Sequence, residues 1–257
     1  MTRNQGRVVL ITGSAQGIGR GIALRLADDG YDIAINDLER FKKELEELSE
    51  IIKSKGRRVF IGVADASVKE EVEGLIDATV ENLGGLDVMI ANAGVCLVKS
   101  FIDTTIEEWD RVFSINLRGA FFAYQYAAKV MIKQERGGRI IGACSGAGKF
   151  GCAMMSAYSS SKFALRGMTQ SAAAELGKYG ITVNAYAPGP IVTPMLDKVG
   201  DDFGGKDVVY AAEAQRIPVG HLGTPEDIAA LVSYLASKEA KFVTGQTVQV
   251  NGGRDFD

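Results

Sequence analysis

Histidine, cysteine and proline are scarce in this chain. The scarcity of histidine and cysteine excludes several kinds of site. The 257 residues include 1 histidine, His221, whose glycine-flanked position predicts an ordinary loop residue. A lone histidine excludes zinc sites built on histidine pairs and leaves one candidate base for a Ser-His-Asp triad. The 3 cysteines are odd in number and show no Cys-x-x-Cys spacing, so neither a disulfide framework nor a zinc ribbon is indicated. We therefore expect no metal site and a reducing, cytoplasmic compartment.

The chain also lacks a strong excess of charge and a long apolar run. Its 29 basic and 32 acidic residues give a net charge of −3, which provides no positive field for nucleic acid or an anionic membrane. No apolar stretch reaches the roughly 18 residues of a membrane span, and residues 1–7 lead into the first strand-like run without a targeting pattern. The hydrophobic content of 46% is that of a folded globular chain. We expect no nucleic-acid partner and no membrane partner.

Short apolar runs alternate with longer amphipathic segments along the chain. A run that is apolar throughout predicts a strand buried on both faces, as in a parallel sheet covered by helices on both sides. The candidate strands are Val8–Ile11, Ile33–Ile35, Val59–Ile61, Leu86–Ile90, Gly138–Ile141 and Ile181–Ala185. The sequence therefore predicts the α/β class, with a single domain over residues 1–257 built as a Rossmann-type doubly wound parallel sheet.

Two segments depart from this rhythm. The charge-rich segment from Phe41 to Lys55 keeps apolar residues at helical spacing, which predicts an amphipathic helix with a solvated charged face. From Pro188 to about Pro225 the pattern is the least regular of the chain. Structureless loops beyond about 12–15 residues tend to be functional or mobile. We therefore predict that residues 188–225 form a substrate lid within the domain.

Glycine is frequent where the first strand meets the first helix. The segment Thr12–Gly19 reads T-G-x-x-x-G-x-G. In such a turn Gly13 permits the tight bend, Gly17 lets the backbone approach a pyrophosphate, and Gly19 allows close packing. Backbone amides and the dipole of the helix N-terminus then bind the phosphates. A glycine-rich turn without a ligand is the alternative, but the position in the first strand–turn–helix unit favours dinucleotide binding.

An acidic residue ends the second candidate strand. Asp37 lies 18 residues after Gly19, where a carboxylate accepts hydrogen bonds from the adenosine ribose hydroxyls and repels a 2′-phosphate. No cation lies within the glycine turn to offset that repulsion, and Arg40 is a flexible neighbour. We therefore predict NAD rather than NADP as the cofactor.

A second glycine-rich run, Gly142–Phe150, has some likeness to a P-loop. It fails the G-x-x-x-x-G-K-[ST] pattern because Ala143 occupies the place of the first glycine and Phe150 replaces the hydroxyl residue that would hold Mg²⁺. The sequence therefore gives little support to phosphoryl transfer.

A tyrosine and a lysine stand one helical turn apart at the two ends of Tyr158–Lys162. The spacing alone means little, because Tyr234 and Lys238 repeat it in a predicted C-terminal helix. The difference is Ser145, which lies just past the Gly138–Ile141 run, and such strand ends point to the ligand crevice of an open α/β sheet. No serine at a strand end precedes the second pair. The serine, the first tyrosine and its lysine are therefore the catalytic candidates.

These motifs resemble those of the short-chain dehydrogenase/reductase family, over essentially the whole chain. In the family's order, the sequence contains the glycine turn, Asn92-Ala93-Gly94 after the fourth strand, Asn116 in the next helix, Ser145, the Tyr-x-x-x-Lys pair, Pro188-Gly189 and the terminal Asn251-Gly252-Gly253. The resemblance implies hydride transfer between nicotinamide and an alcohol or carbonyl group.

The resemblance also implies a role for each catalytic candidate. Tyr158 would protonate a carbonyl oxygen in reduction or deprotonate an alcohol in oxidation, and Ser145 would orient that oxygen. A phenol has a reference pKa of about 10, so its anion needs the positive charges of Lys162 and of oxidised nicotinamide. Asn116 would hold a water in a proton relay from Lys162; the alternative is a helix-interior residue that bonds backbone.

The family's cofactor contacts carry over to matching positions. Asp65 would meet the adenine, Asn92 would support the ribose region, and Ile191 with Thr193 would contact the carboxamide and phosphates. Asp65 could instead cap a helix, and Thr193 could be an ordinary turn residue before Pro194. The full set of predicted contacts is Gly13, Gln16, Gly17, Ile18, Gly19, Asp37, Asp65, Asn92, Gly94, Tyr158, Lys162, Pro188, Gly189, Ile191 and Thr193.

Apolar residues flank the catalytic candidates, and they indicate a compact pocket for a small neutral carbonyl or alcohol. They are Val95, Leu97, Met154, Met155, Met195 and Leu196. Such residues are also normal in a core or a lid.

Within the family, the segments Gly17–Ala27 and Tyr158–Gly167 resemble diacetyl/acetoin reductases, also called 2,3-butanediol dehydrogenases. Acetoin or diacetyl is therefore the expected substrate. Those enzymes often have Gln directly after the catalytic serine and Asn seven positions after it, where this chain has Gly146 and Cys152. The loss of two amides that could bind a second oxygen weakens the case for the vicinal diketone.

Other functions stay open on the sequence alone. A ketose, a polyol or a 3-oxoacyl group is the alternative substrate within the same chemistry. A catalytically idle NAD-binding redox sensor and an interaction module are alternatives of other classes, and the complete catalytic set argues against the sensor. The resemblance further implies a homo-oligomer, a tetramer or dimer formed by helix pairing.

Overall fold

One parallel sheet forms the centre of the protein. The computed structural model describes residues 6–256, and within them the strands are β1 Val8–Ile11, β2 Asp32–Asp37, β3 Val59–Val63, β4 Val88–Ala91, β5 Gly138–Ala143, β6 Ile181–Pro188 and β7 Thr247–Val250. Their order is β3-β2-β1-β4-β5-β6-β7, and all neighbours pair in parallel. The chain reverses its direction of growth between β1 and β4, and ligands bind at such switch points, outside the carboxyl ends of the strands.

Helices cover both faces of this sheet, as predicted. Within the described part of the chain they are α1 Gly17–Asp28, α2 Lys42–Ser54, α3 Lys69–Leu83, α4 Ile106–Phe113, α5 Ala120–Gln134, α6 Ser156–Leu176, α7 Pro194–Asp202, α8 Lys206–Arg216 and α9 Pro225–Ala236. Leu10 belongs to the core that packs under α3, α5 and α6, whereas Ile11 belongs to the core under α1, α2 and α9. Successive strand residues point to opposite faces, so a strand such as β1 contributes to both cores.

Most of the predicted elements are confirmed. All six candidate strands are present, and the amphipathic helix expected from Phe41 to Lys55 is α2, with its apolar residues Leu45, Leu48 and Ile52 buried. Residues 1–5 and Asp257, which the predicted domain included, lie outside the described residues. His221 is an exposed loop residue, as expected.

Three expectations are corrected. Strand β7, at the sheet edge beside β6, was not predicted. The region 188–225, expected to be the least regular, contains helices α7 and α8. Helix α9 ends at Ala236, so Lys238 lies beyond the helix that carries Tyr234. The second Tyr-x-x-x-Lys spacing therefore does not place its two side chains on one helical face.

Helix α7 begins for a local reason. The Thr193 side chain accepts a hydrogen bond from the amide of Leu196, and Pro194 occupies the first helical position, where its missing N–H is not needed. Within residues 6–256, no helix combines the length and apolar composition that a membrane span requires.

Candidate active site

The carboxyl edge of the sheet gathers the predicted site residues. Gly13 follows β1, Asp37 ends β2, Asn92 follows β4, Ser145 follows β5 and Pro188 ends β6. Because parallel strands all finish at the same edge, residues far apart in the sequence meet there. A groove of about 650 Å³ between α4, α5 and α6 lies elsewhere, on the outer helical face.

The glycine turn has the backbone geometry that the motif predicts. Gly13 and Gly17 have φ values of 63° and 53°, in the left-handed region that favours glycine. A Cβ at Gly19 would collide with the carbonyl oxygen of Gly13. Gln16 is exposed and gives α1 no side-chain cap, so the amides of this helix N-terminus keep their capacity to bind an anion. The turn therefore fits the diphosphate of a dinucleotide.

The segment predicted to form a lid, residues 188–225, begins beside this turn. A Cβ at Gly17 would lie 3.3 Å from Cγ2 of Thr193, the residue that caps α7. Ile191 is buried and pairs with Gly223, and the amide of Gly189 donates to the carbonyl oxygen of Val250 at 2.9 Å. The predicted phosphate and carboxamide contacts after β6 are thus held next to the glycine turn.

Asn92 supports the turn from below. Its Nδ2 donates to the carbonyl oxygens of Thr12 and Gly13, both at 2.8 Å. Its Oδ1 accepts from the hydroxyl of Tyr186 at 2.7 Å. The Asn92 amide therefore holds the glycine turn through Nδ2, and the buried Tyr186, which was not predicted as a site residue, orients that amide. Ile18 lies half-buried in the first turn of the same helix.

Asp37 also contacts the turn. Its Oδ2 accepts from the amide of Ala15 at 3.1 Å, and its Oδ1 accepts from the amide of Leu38 at 2.9 Å. Burial raises the pKa of this carboxyl group, and the two backbone hydrogen bonds act in the opposite direction. Arg40, the cation near Asp37 in the sequence, places its guanidinium over the ring of Phe41, 4.9 Å from the ring centroid. Asp37, which is predicted to bind the adenosine ribose, is thus fixed beside the glycine turn.

Asp65 does not cap a helix. Its Oδ1 accepts from both the amide and the hydroxyl of Ser67, at 2.8 and 2.7 Å, whereas the N-cap of α3 is Val68. The capping alternative is therefore wrong, and Asp65 shapes the turn between β3 and α3.

Ser145, Tyr158 and Lys162 are brought together by β5 and α6. The Ser145 side chain acts on the pKa of the Tyr158 phenol, which it lowers, and its hydroxyl accepts from the amide of Ala147 at 3.1 Å. The Nζ of Lys162 lies 5.5 Å from the centroid of the Tyr158 ring and donates to the carbonyl oxygen of Ala143 at 2.7 Å. The last bond ties α6 to the end of β5, so the three side chains occupy one corner of the carboxyl edge.

Burial dominates the electrostatics of this corner. It raises the pKa of the Tyr158 phenol, against the opposing hydrogen bond from Ser145, and it lowers the pKa of Lys162 to about 8. In the protein alone Tyr158 is therefore a neutral proton donor at neutral pH. The expected stabilisation of the phenolate by Lys162 together with oxidised nicotinamide stays a prediction.

Asn116 lies in a π-helical turn, Ser114–Gly119, between α4 and α5. Its side chain accepts from the amide of Val95 at 2.8 Å and donates to the carbonyl oxygen of Val95 at 2.9 Å and the hydroxyl of Ser161 at 3.1 Å. A Cβ at Gly94 would lie 3.2 Å from Oδ1 of Asn116 and 3.5 Å from Nζ of Lys162. Asn116 thus bonds backbone, as its alternative reading required, and it does so beside Lys162. The water relay stays a prediction.

Comparisons with known proteins agree with this arrangement. A family model described as Enoyl-(Acyl carrier protein) reductase matches residues 13–255. A short-chain dehydrogenase/reductase of Armillaria gallica is 52% identical over 255 residues, which are 99% of this chain and 98% of that protein. An L-2,3-butanediol dehydrogenase of Corynebacterium glutamicum is 40% identical over 253 residues, covering 96% of this chain and 98% of its own.

A solved structure is similar over nearly the whole length. The crystal structure of acetoin dehydrogenase YohF from Salmonella typhimurium has a TM-score of 0.86 at 35% identity and covers 96% of each chain. The resemblance first indicated by the motifs is confirmed, and the chain belongs to the short-chain dehydrogenase/reductase family of oxidoreductases.

Proposed function

We propose that the protein transfers a hydride between NAD(H) and a small alcohol or carbonyl compound, with acetoin and 2,3-butanediol as the favoured pair. The observation that carries this proposal is the position of Tyr158 and Lys162 on α6, with Nζ of Lys162 5.5 Å from the centroid of the phenol ring, and of Ser145 just past β5, at the sheet edge that also holds the glycine turn. Similarity to an L-2,3-butanediol dehydrogenase and to an acetoin dehydrogenase supports the choice of substrate.

The chain's own residues supply the proton chemistry. When bound, the nicotinamide supplies or accepts the hydride. In reduction, Ser145 orients the carbonyl oxygen, Tyr158 transfers its phenolic proton to that oxygen, and Lys162 stabilises the phenolate that remains. In oxidation the phenolate removes the alcohol proton. We propose that residues 188–225 cover the substrate during these steps.

A substrate panel tests the proposal. We expect NADH oxidation with acetoin or diacetyl to exceed that with ketoses, cyclic ketones and a 3-oxoacyl thioester. Turnover of one of those other classes alone would replace the proposed substrate. No turnover on any of them, together with an NAD-induced rise in Tm, would favour the idle redox sensor, because a ligand that binds only the folded form stabilises it.

The cofactor choice rests on Asp37. We expect kcat/KM with NADH to exceed that with NADPH, because the carboxylate beside the glycine turn repels a 2′-phosphate. Asp37→Ser should reduce the NADH:NADPH ratio of kcat/KM by about 10-fold or more. Glu39→Gln, which removes an exposed charge two residues away, should leave the ratio unchanged. A wild-type preference for NADPH would overturn the assignment.

We also propose that the protein is a homo-oligomer, paired through α5 and α6. Two large apolar side chains on these helices, Phe121 and Phe163, are 43% and 44% exposed. We expect light scattering after size-exclusion chromatography to give a dimer or tetramer mass. Phe121→Glu should lower that mass, whereas Ile51→Glu on α2 should not. A monomeric wild type would contradict the proposal.

A further inference from the structure

The segment 251–255, called the tail below, lies against the residue that follows Ser145. A Cβ added to Gly146 would lie 4.0 Å from Oδ2 of Asp255 and 3.6 Å from the carbonyl oxygen of Pro188. A carboxylate and a carbonyl therefore border the space that a side chain at Gly146 would fill. An ionised carboxylate and a carbonyl are both acceptors and offer no proton.

The carboxylate of Asp255 is held in place. Nη1 of Arg254 donates to its Oδ2 at 2.7 Å, and Nδ2 of Asn251 donates to its carbonyl oxygen at 2.8 Å. The same guanidinium binds Glu213 of α8 through Nε and, at 3.1 Å, through Nη2. Bidentate guanidinium–carboxylate pairs fix geometry as well as charge. Asp255 is thus fixed relative to both the lid and the end of β5.

The tail is also packed against the segment that follows the lid helix. Cβ atoms added to Gly252 or Gly253 would press on Ile217, Val219 and Pro218, and the amide of Val219 donates to the carbonyl oxygen of Gly252 at 3.3 Å. The Asp255 side chain is 28% exposed, so its carboxylate is accessible to solvent while its backbone is anchored.

We infer that Asp255 is a specificity-determining residue that accepts a hydrogen bond from a hydroxyl group next to the reacting carbon. The substrate class is then the α-hydroxy ketone and its vicinal diol rather than the vicinal diketone. Acetoin and 2,3-butanediol carry such a hydroxyl donor, whereas diacetyl presents a second carbonyl oxygen that an acceptor repels. This inference rests on the proposed function, because it names the substrate of the same site.

The resemblance noted in the sequence is consistent with this inference. Diacetyl/acetoin reductases often have Gln and Asn at the positions of Gly146 and Cys152, and an amide N–H can donate to a second carbonyl oxygen. This chain replaces both, and the polar group that borders the vacated position is a carboxylate. An acceptor at this position favours a hydroxyl over a carbonyl as the second oxygen of the substrate.

The test uses initial-rate kcat/KM values for acetoin, diacetyl and butan-2-one, which lacks a second oxygen. Asp255→Asn keeps the side-chain shape and adds an amide donor. We expect it to lower the acetoin:diacetyl ratio of kcat/KM by about 10-fold or more, as for the loss of a charged hydrogen bond. Glu81→Gln, which removes an exposed charge on α3, should leave the ratio at the wild-type value.

A second variant does not depend on the stability of the tail. Gly146→Ala places a methyl group in the same space at ordinary contact distances, and it should lower kcat/KM for acetoin more than for butan-2-one. Wild-type ratios in both Asp255→Asn and Gly146→Ala would overturn the inference and leave the proposed function standing. Absence of wild-type turnover on all three ketones would overturn the proposed function itself, and the inference with it.

Discussion

Tyr158→Phe is expected to lower kcat for carbonyl reduction by about 10²–10⁴-fold, the usual contribution of a positioned proton donor. In the proposed reaction the phenol contacts the reacting oxygen, and burial keeps its proton on at neutral pH because it raises the pKa. The ring stays in place without its hydroxyl, so NAD(H) affinity should change little. Steady-state kinetics and calorimetric titration with NADH measure the two quantities separately.

The chain provides a matched control for this variant. Tyr234 precedes Lys238 with the same spacing, but Tyr234 is 44% exposed near the end of α9 and Lys238 lies beyond that helix. Tyr234→Phe should therefore leave kcat at the wild-type value. Unchanged turnover in Tyr158→Phe would remove Tyr158 from its catalytic role, and an equal loss in both variants would point to a general structural effect.

The strands that the sequence predicted and the one it did not differ in their surroundings. Strands such as β1 are buried on both faces, so every position is apolar and the run is visible. Strand β7 has 4 residues, each half-buried, and alternates apolar with polar side chains at the sheet edge. A run so short and mixed carries little periodic signal. Helix α7, by contrast, had a readable start in Thr193-Pro194, a capping residue followed by proline.

The site residues also differ in whether the sequence predicted them. The proposed catalytic residues Tyr158 and Lys162 were predictable because their spacing is local and Ser145 stands at a strand end before them. Residues that act through distant partners were not. In the sequence Tyr186 reads as one more buried residue of a strand. Its role depends on the hydrogen bond from its hydroxyl to Asn92, 94 positions away. Asp255 gains its place only when the tail folds back to Gly146. No local pattern encodes such contacts, because they depend on the packing of the whole sheet.

Gly19→Ala is expected to abolish the NAD-induced rise in Tm and to lower the free energy of unfolding by about 1–3 kcal/mol. The added Cβ would collide with the carbonyl oxygen of Gly13 and lie 2.6 Å from Nδ2 of Asn92 and 2.9 Å from Cα of Ser14. None of these atoms is the end of a flexible side chain, since Asn92 is itself bound to the turn. The turn must move, and the amides that would bind the diphosphate move with it.

Gly74→Ala separates this effect from the general effect of replacing a glycine. Gly74 lies within α3, and a Cβ there meets no atom within 4 Å. Alanine is the better helix former by roughly 0.5–1 kcal/mol, so Gly74→Ala should raise the Tm and leave NAD binding unchanged. Wild-type NAD affinity in Gly19→Ala would show that the turn can yield without losing its ligand. A loss of NAD binding in Gly74→Ala would instead show that the cofactor site responds to changes far from the glycine turn.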